Sequence, residues 1–318
     1  RLMPVKRGQN QFGIFNINAG TALGLLCLWY KLGNKSMAPV YPSYLQMRAF
    51  ELMAISNHLT MMGVKKIRRI GHNMEFEQIK DYVAGDDFRS INWNATARRG
   101  DLMVNTYQDE KSQQVYCIID KSRTMQMPFE GMTLLDYAIN TTLSLSHIII
   151  RKDDKAGVIS FQHKLGSFLK ANGTKRQLYT IMEMLYHEKT AYKEADFSQL
   201  YSQIKQRVGQ RSLLLIFTNF ETLNGMKRQL PYLQRLARSH VVVVVFFENT
   251  EVHSIIEAPA SSTREIYHKA LAESLQYEKK LITKELTKYG IHNLISAPKE
   301  LSVKSINKYL ELKSRGIT

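Results

Sequence analysis

Three stretches of the chain place oxygen-bearing side chains where a strand-like pattern ends. Asp120-Lys121-Ser122-Arg123-Thr124 follows the apolar run Val115 to Ile119 and sets one carboxylate and two hydroxyls at alternate positions of a tight loop. Thr174 stands in the turn Asn172-Gly173-Thr174 that opens a helical pattern, and Thr218-Asn219 closes the run Ser212 to Phe217. Oxygen ligands of this kind suit a hard divalent cation such as magnesium. Turns and helix N-caps use the same residue types, so the loop by itself leaves both readings open.

A second chemistry-bearing stretch runs from Glu75 to Gly100, where acidic and basic residues alternate with aromatics. Gly85-Asp86-Asp87 would make a catalytic metal pair only within a hairpin of apolar strands supplied with further carboxylates. The flanks Tyr82-Val83-Ala84 and Phe88-Arg89-Ser90 offer no such hairpin. The reading that follows is an ion-paired strap, with Asp86 and Asp87 pairing with Arg89, Arg98 or Arg99 and with Phe88 and Trp93 anchoring it on a core. No nucleophile elbow, P-loop, His-Glu-x-x-His or dinucleotide glycine motif occurs. Cys27 and Cys117 sit in apolar runs, where a thiol behaves as a small buried hydrophobe and no disulfide or zinc framework is implied.

The elements that must position these residues divide the chain in three. Residues 1–45 carry short β-favouring runs, Phe12 to Ile17, Leu23 to Tyr30 and Ala38 to Tyr41, and read as part of a β-rich domain. Residues 46–113 hold most of a helical pattern that runs from Tyr44 to about Met62, then the basic run Lys65 to Arg69 and a turn-rich connector. From 114 to 318 strands alternate with helices, which predicts an α/β domain with a doubly wound, mainly parallel sheet. Its strands are expected at Val115 to Ile119, Gly157 to Phe161, Ser212 to Phe217, Val241 to Phe247 and Asn293 to Ala297. Helical spacing marks Thr133 to Ile150, Gln177 to Leu185, Phe197 to Val208, Met226 to Ala237, Arg264 to Leu286 and a closing amphipathic helix around Lys304 to Leu310.

With 44 Lys+Arg against 28 Asp+Glu, the 318 residues carry a formal charge of +16, which points to an anionic partner, a membrane surface or nucleic acid. Nucleic acid is disfavoured: no reader motif is present, and the charge is spread as +6 over residues 1–113 and +10 over the rest. No apolar run approaches the 18 to 20 or so residues of a membrane span.

Asp120, Ser122 and Thr124 resemble the Asp-x-Ser-x-Ser element of the metal-ion-dependent adhesion site in von Willebrand factor type A domains, with Thr for the last Ser. In that resemblance Thr174 supplies the second element, and Asn219 stands where those domains carry Asp, leaving one formal negative charge. More widely, Glu75-Phe76, Tyr82, Gly85-Asp86-Asp87, Arg89, Ile91, Trp93, Ala97-Arg98 and Asp120-x-Ser122 resemble the bacterial domain-of-unknown-function family fifty-eight. The likeness extends to Lys6-Arg7-Gly8, Val40-Tyr41-Pro42, Asp154-Lys155-Ala156-Gly157 and Arg211-Ser212-Leu213.

This resemblance implies a β-rich region and connector followed by a von Willebrand type A-like domain. It also implies an N-terminal membrane anchor, so that the start at Arg1 reads as a fragment, and a place on the cytoplasmic face of the bacterial inner membrane. The expected function is a non-enzymatic adaptor working with a MoxR-type AAA+ ATPase, with Mg2+ as the ion at Asp120, Ser122, Thr124, Thr174 and Asn219. Glu75, Asp86, Asp87, Arg89, Trp93 and Arg98 are then structural residues of the connector. The alternatives are nucleic-acid or anionic-membrane binding through the basic surface, and a metal-dependent enzyme.

Overall fold

β-Branched and large apolar residues that run unbroken through a strand need cover on both faces, and the C-terminal two-thirds of the chain provides it. The computed structural model describes residues 8–20, 27–33, 36–40, 74–84, 86–109, 112–188, 190, 192–248, 250–257 and 262–316. The helical pattern from Tyr44 to Met62, the basic run Lys65 to Arg69, Gly85, and the pairs Lys6-Arg7 and Tyr41-Pro42 lie outside these residues.

Near the N terminus β1 (Gly8–Phe12) pairs antiparallel with β4 (Ser36–Val40), and β2 (Phe15–Gly20) with β3 (Cys27–Leu32). The run expected as one strand over Phe12 to Ile17 is broken at Gly13-Ile14 into β1 and β2. The connector departs further from expectation. β5 (Met74–Asp81) and β6 (Met103–Asp109) form an antiparallel ladder, and a 3-10 turn (Phe88–Ser90) and helix α1 (Trp93–Arg99) occupy the excursion between them.

β7 (Gln114–Asp120) begins the α/β domain. After it come a short hairpin, β8 (Pro128–Phe129) and β9 (Met132–Thr133), and helix α2 (Leu134–Arg151). The chain continues through β10 (Lys155–Phe161), β11 (Leu165–Asn172), α3 (Lys175–His187), α4 (Phe197–Arg207), β12 (Leu213–Phe217) and α5 (Leu223–Ser239). It ends with β13 (Val241–Phe247), α6 (Thr250–Glu257), α7 (Thr263–Lys288), β14 (His292–Ser296) and α8 (Leu301–Ser314). The sheet order is β11-β10-β7-β12-β13-β14, with every pairing parallel except that of the edge strand β11. This is the doubly wound, mainly parallel sheet expected from the sequence. β11 and α6 are additions that the sequence patterns did not reveal.

Alternation along the strands assigns the core to two layers. Val115, Cys117 and Ile119 of β7 and Val243 and Val245 of β13 face a layer with Leu135 and Ile139 of α2, Ile181 of α3 and Tyr309 of α8. Tyr116, Ile118, Val242 and Val244 point the other way, toward Leu200 of α4, Leu233 of α5 and Ile282 of α7. α2 begins on a capping box in which Thr133 and Asp136 satisfy each other's backbone amides. At the edge of the sheet opposite Asp120, buried Asp154 ties the domain together: Oδ1 accepts from the Gln113 amide at 3.0 Å, and Oδ2 accepts from Tyr309 Oη and from Lys313 Nζ, the latter at 2.6 Å.

The Tyr116 ring lies across Gly157 of the neighbouring strand, where a Cβ would stand 2.5 Å from Cε1 and 2.9 Å from the Ala171 amide nitrogen. Gly157→Ala is therefore expected to destabilise the fold by about 1–3 kcal/mol through overpacking. Gly209→Ala, into open space, is expected to change stability little. Urea unfolding of both variants checks the contrast.

Candidate functional site

Ligands of open α/β sheets gather beyond the carboxyl ends of the parallel strands, and Asp120 is the last residue of the central strand β7. Its side chain is 1% exposed. Oδ1 accepts the Ser122 amide at 2.8 Å and Oδ2 the Thr218 hydroxyl at 2.7 Å. The loop then forms a 3-10 turn (Arg123–Met125), with Ser122 Oγ and Thr124 Oγ1 2.9 Å apart and Met125 fully buried beneath them. From the next strand end, Asn219 Nδ2 donates to the Thr124 carbonyl at 3.4 Å, while Asn219 Oδ1 is buried without a hydrogen-bond partner. Asp120, Ser122, Thr124 and Asn219 are thus gathered as the sequence suggested, and Thr218, noted only as a strand end, proves to hold the carboxylate.

Thr174 does not join them. β11 runs antiparallel to β10, so Asn172 pairs with Ala156 at the start of β10, whereas Asp120 pairs with Phe161 at its end. Five residues at about 3.3 Å each separate the two positions by about 16 Å along the sheet. Thr174 is exposed at the N terminus of α3, its amide donating to Asn172 Oδ1. The hydroxyl that does approach the loop belongs to Thr190, whose Oγ1 donates to the Lys121 carbonyl at 2.6 Å. The available sequence signal was its place in the segment joining two helices ahead of β12, which means little until strand directions are known.

Electrostatics set Asp120 apart. Burial pushes its carboxyl above the usual range, opposed by the Thr218 hydroxyl and the Ser122 amide. Among the described residues no cationic side chain forms an ion pair with it. Among the described residues no cluster of three or more His, Cys, Asp or Glu side chains could hold a metal, so an ion here would rest on one carboxylate and neutral oxygens. The donor chemistry fits a hard cation: all four side chains offer oxygen, and the orphaned Asn219 Oδ1 has no other buried partner. Asp120, Ser122, Thr124 and Asn219 would hold it. Beside them opens a small, shallow cleft lined by Met127, Phe129, Asn219, Phe247, Glu248 and Lys279 among others. Cys117 offers no nucleophile, since burial in β7 pushes its thiol up to about 12.

The connector residues play other parts than expected. Asp86 pairs with Lys80 at 3.0 Å and accepts the Val83 amide, which holds its carboxyl below the usual range. Asp87 caps the 3-10 turn by accepting the Arg89 amide at 3.0 Å. The two carboxylates have separate partners, Asp86 with Lys80 of β5 and Asp87 within the excursion, and the expected pairing with Arg89, Arg98 or Arg99 side chains is replaced by these contacts. Arg99 instead meets Asp81 at 3.7 Å, and Arg98 is exposed on α1. Phe88 and Trp93 are each 69% exposed, so neither anchors the segment on a core. Glu75 lies in β5, paired with Gln108 of β6. At the end of α4 the Arg207 guanidinium lies over the Phe168 ring at 5.1 Å, a packing role.

A buried carboxylate without a cation beside it opposes folding while ionised, so in chelator Asp120→Asn is expected to melt no lower than the wild type. The pH dependence follows from the raised folded-state pKa: the folded protein binds the proton more tightly than the unfolded chain. Wild-type stability should therefore rise relative to Asp120→Asn as pH falls from 7 toward the carboxylate range, a trend that thermal melts in chelator across pH check.

The model of the family described as "Protein of unknown function DUF58" matches residues 78–254. The uncharacterized protein YeaD of Bacillus subtilis (strain 168) is 24% identical over 161 residues, 50% of this chain and 37% of that protein. The chain thus spans little more than a third of that relative's length. Among solved structures, the minor pilin PilB of Streptococcus sanguinis is similar over 68% of this chain and 65% of its own, at 8% identity and a TM-score of 0.45. The conserved hypothetical protein BatB of Bacteroides thetaiotaomicron aligns over 64% of this chain and all of its own, at 12% identity and 0.42. The SpRpn10 VWA domain aligns over 62% and 95%, at 11% identity and 0.37. With the family match covering more than half of its residues, the chain belongs to the DUF58 family of proteins of unknown function.

Proposed function

We propose that this chain is a non-enzymatic adaptor that binds a partner protein at the carboxyl edge of its sheet, through Mg2+ held by Asp120, Ser122, Thr124 and Asn219. The observation that carries this reading is the buried Asp120 carboxylate, surrounded by neutral oxygens and one orphaned amide oxygen at the mouth of the sheet. A magnesium ion bound there would supply charge, leaving a coordination position to a carboxylate of the partner. Asp120 itself is hydrogen-bonded only to the Thr218 hydroxyl and the Ser122 amide, an arrangement that suits holding an ion better than proton transfer to a directly bonded acid or base. The apolar lining of the neighbouring cleft, Met127, Phe129 and Phe247 among it, suits a partner side chain next to that carboxylate.

The resemblance stated above supports a MoxR-type AAA+ ATPase as the partner. It also supports a place on the cytoplasmic face of the bacterial inner membrane through an anchor outside this chain. No helix among the described residues is long and apolar enough to cross a membrane. A charge of +16 suits proximity to anionic lipid headgroups on that face.

Binding to a purified MoxR-type ATPase is expected to weaken at least tenfold on chelation or in Asp120→Ala, with the circular dichroism spectrum unchanged. Equal affinity with and without magnesium would exclude the ion-bridged contact, and no binding in either condition would exclude this partner.

A further inference from the structure

Lys121 lies between two of the site residues, yet its side chain turns away from them. Its ammonium meets Glu188 at 2.6 Å, with both residues buried although 67 positions apart in the chain. The second Glu188 oxygen accepts from Ser160 Oγ at 2.7 Å, and Ser160 Oγ accepts the Ser167 amide at 2.8 Å. Gly166 keeps this space open, since a Cβ there would stand 2.5 Å from Ser160 Oγ and 2.8 Å from Lys121 Nζ.

The segment that follows Glu188 is joined to the Asp120 loop at further points. Thr190 Oγ1 donates to the Lys121 carbonyl, and the Arg123 amide donates to the Lys193 carbonyl at 3.3 Å. The Asp196 amide donates to the Gln162 carbonyl at 2.9 Å. Between these contacts Tyr192 is held at φ +50, a left-handed backbone that a tyrosine adopts only where its surroundings impose it. Its amide donates to Thr190 Oγ1 at 3.0 Å.

A buried ion pair adds little net stability over apolar residues of similar volume, but it sets geometry strictly, because a displaced partner leaves a charge buried alone. We propose that Lys121 and Glu188 are the positioning pair of this site: they seat Glu188, Thr190 and residues 192–196 over the Asp120 loop, so that the two form one binding surface. Neither side chain belongs to the ligand set proposed above. Only the consequence for magnesium rests on the function proposed above; the seating of one segment on the other does not.

Hydrogen exchange and calorimetric magnesium titration of the full chain test this, using Glu188→Gln and the charge-free double variant Lys121→Met with Glu188→Leu. Lys313→Met, which breaks the buried pair with Asp154 at the other end of the sheet, serves as the comparison. In the double variant the amides of Arg123, Tyr192 and Asp196 are expected to exchange at least tenfold faster and magnesium affinity to fall at least tenfold. The amides of β7 and β13 should stay protected. Lys313→Met should alter neither the loop amides nor magnesium affinity. Wild-type exchange at the three loop amides in the double variant would overturn the proposal, as would equal loosening by Lys313→Met. If the wild type takes up no magnesium, the ion-bridged function fails and loop exchange alone decides the positioning pair.

Discussion

Burial of one carboxylate, with no ion-pair partner among the described residues, organises the carboxyl edge of the sheet. Asp120 ends the central strand, so its burial follows from the parallel neighbours on both sides and the helices on both faces. Its ionised form then needs donors, and the fold supplies them from a turn two residues on and from the end of β12. The Ser122–Thr124 contact and the reach of Asn219 to the Thr124 carbonyl are arranged around that requirement.

The opposite edge shows the other solution to the same problem. Asp154 is equally buried, but it receives Lys313, Tyr309 and the Gln113 amide, which together join the entry of β7, the turn before β10 and the last helix. Where a buried carboxylate serves the architecture, the chain provides a cation; at Asp120 it provides neutral donors, the Ser122 amide and the Thr218 hydroxyl. Lys121 sharpens the contrast, because a cation adjacent in sequence is directed to Glu188 instead. That choice leaves Asp120 without Lys121 as an ion-pair partner and binds a distant segment to the same loop.

The connector illustrates how composition misleads when pairing is unknown. Phe88 and Trp93 among charged residues read as anchors, yet the ladder of β5 and β6 supports the excursion through its backbone, and both rings face solvent. Asp86 and Asp87 likewise find partners within a few residues, Lys80 and the Val83 and Arg89 amides, in place of the more distant arginines. Local backbone donors are the cheapest partners in entropy, since a turn already brings them close.

The sequence by itself determined the character of the elements and the fold class. Period-two and apolar runs marked the five parallel strands, helical spacing marked the major helices, and Asp-x-Ser-x-Thr at a strand end marked the edge where ligands gather. These are properties of neighbouring residues, set by φ/ψ preference and by which face each side chain must bury. Only the tertiary structure decided which hydroxyls belong to the site. The antiparallel direction of β11 carries Thr174 to the far edge, and the return of the chain after α3 brings Thr190 and Glu188 to the near one. Strand direction and contacts across 67 residues depend on how the sheet is assembled, and no local pattern encodes them.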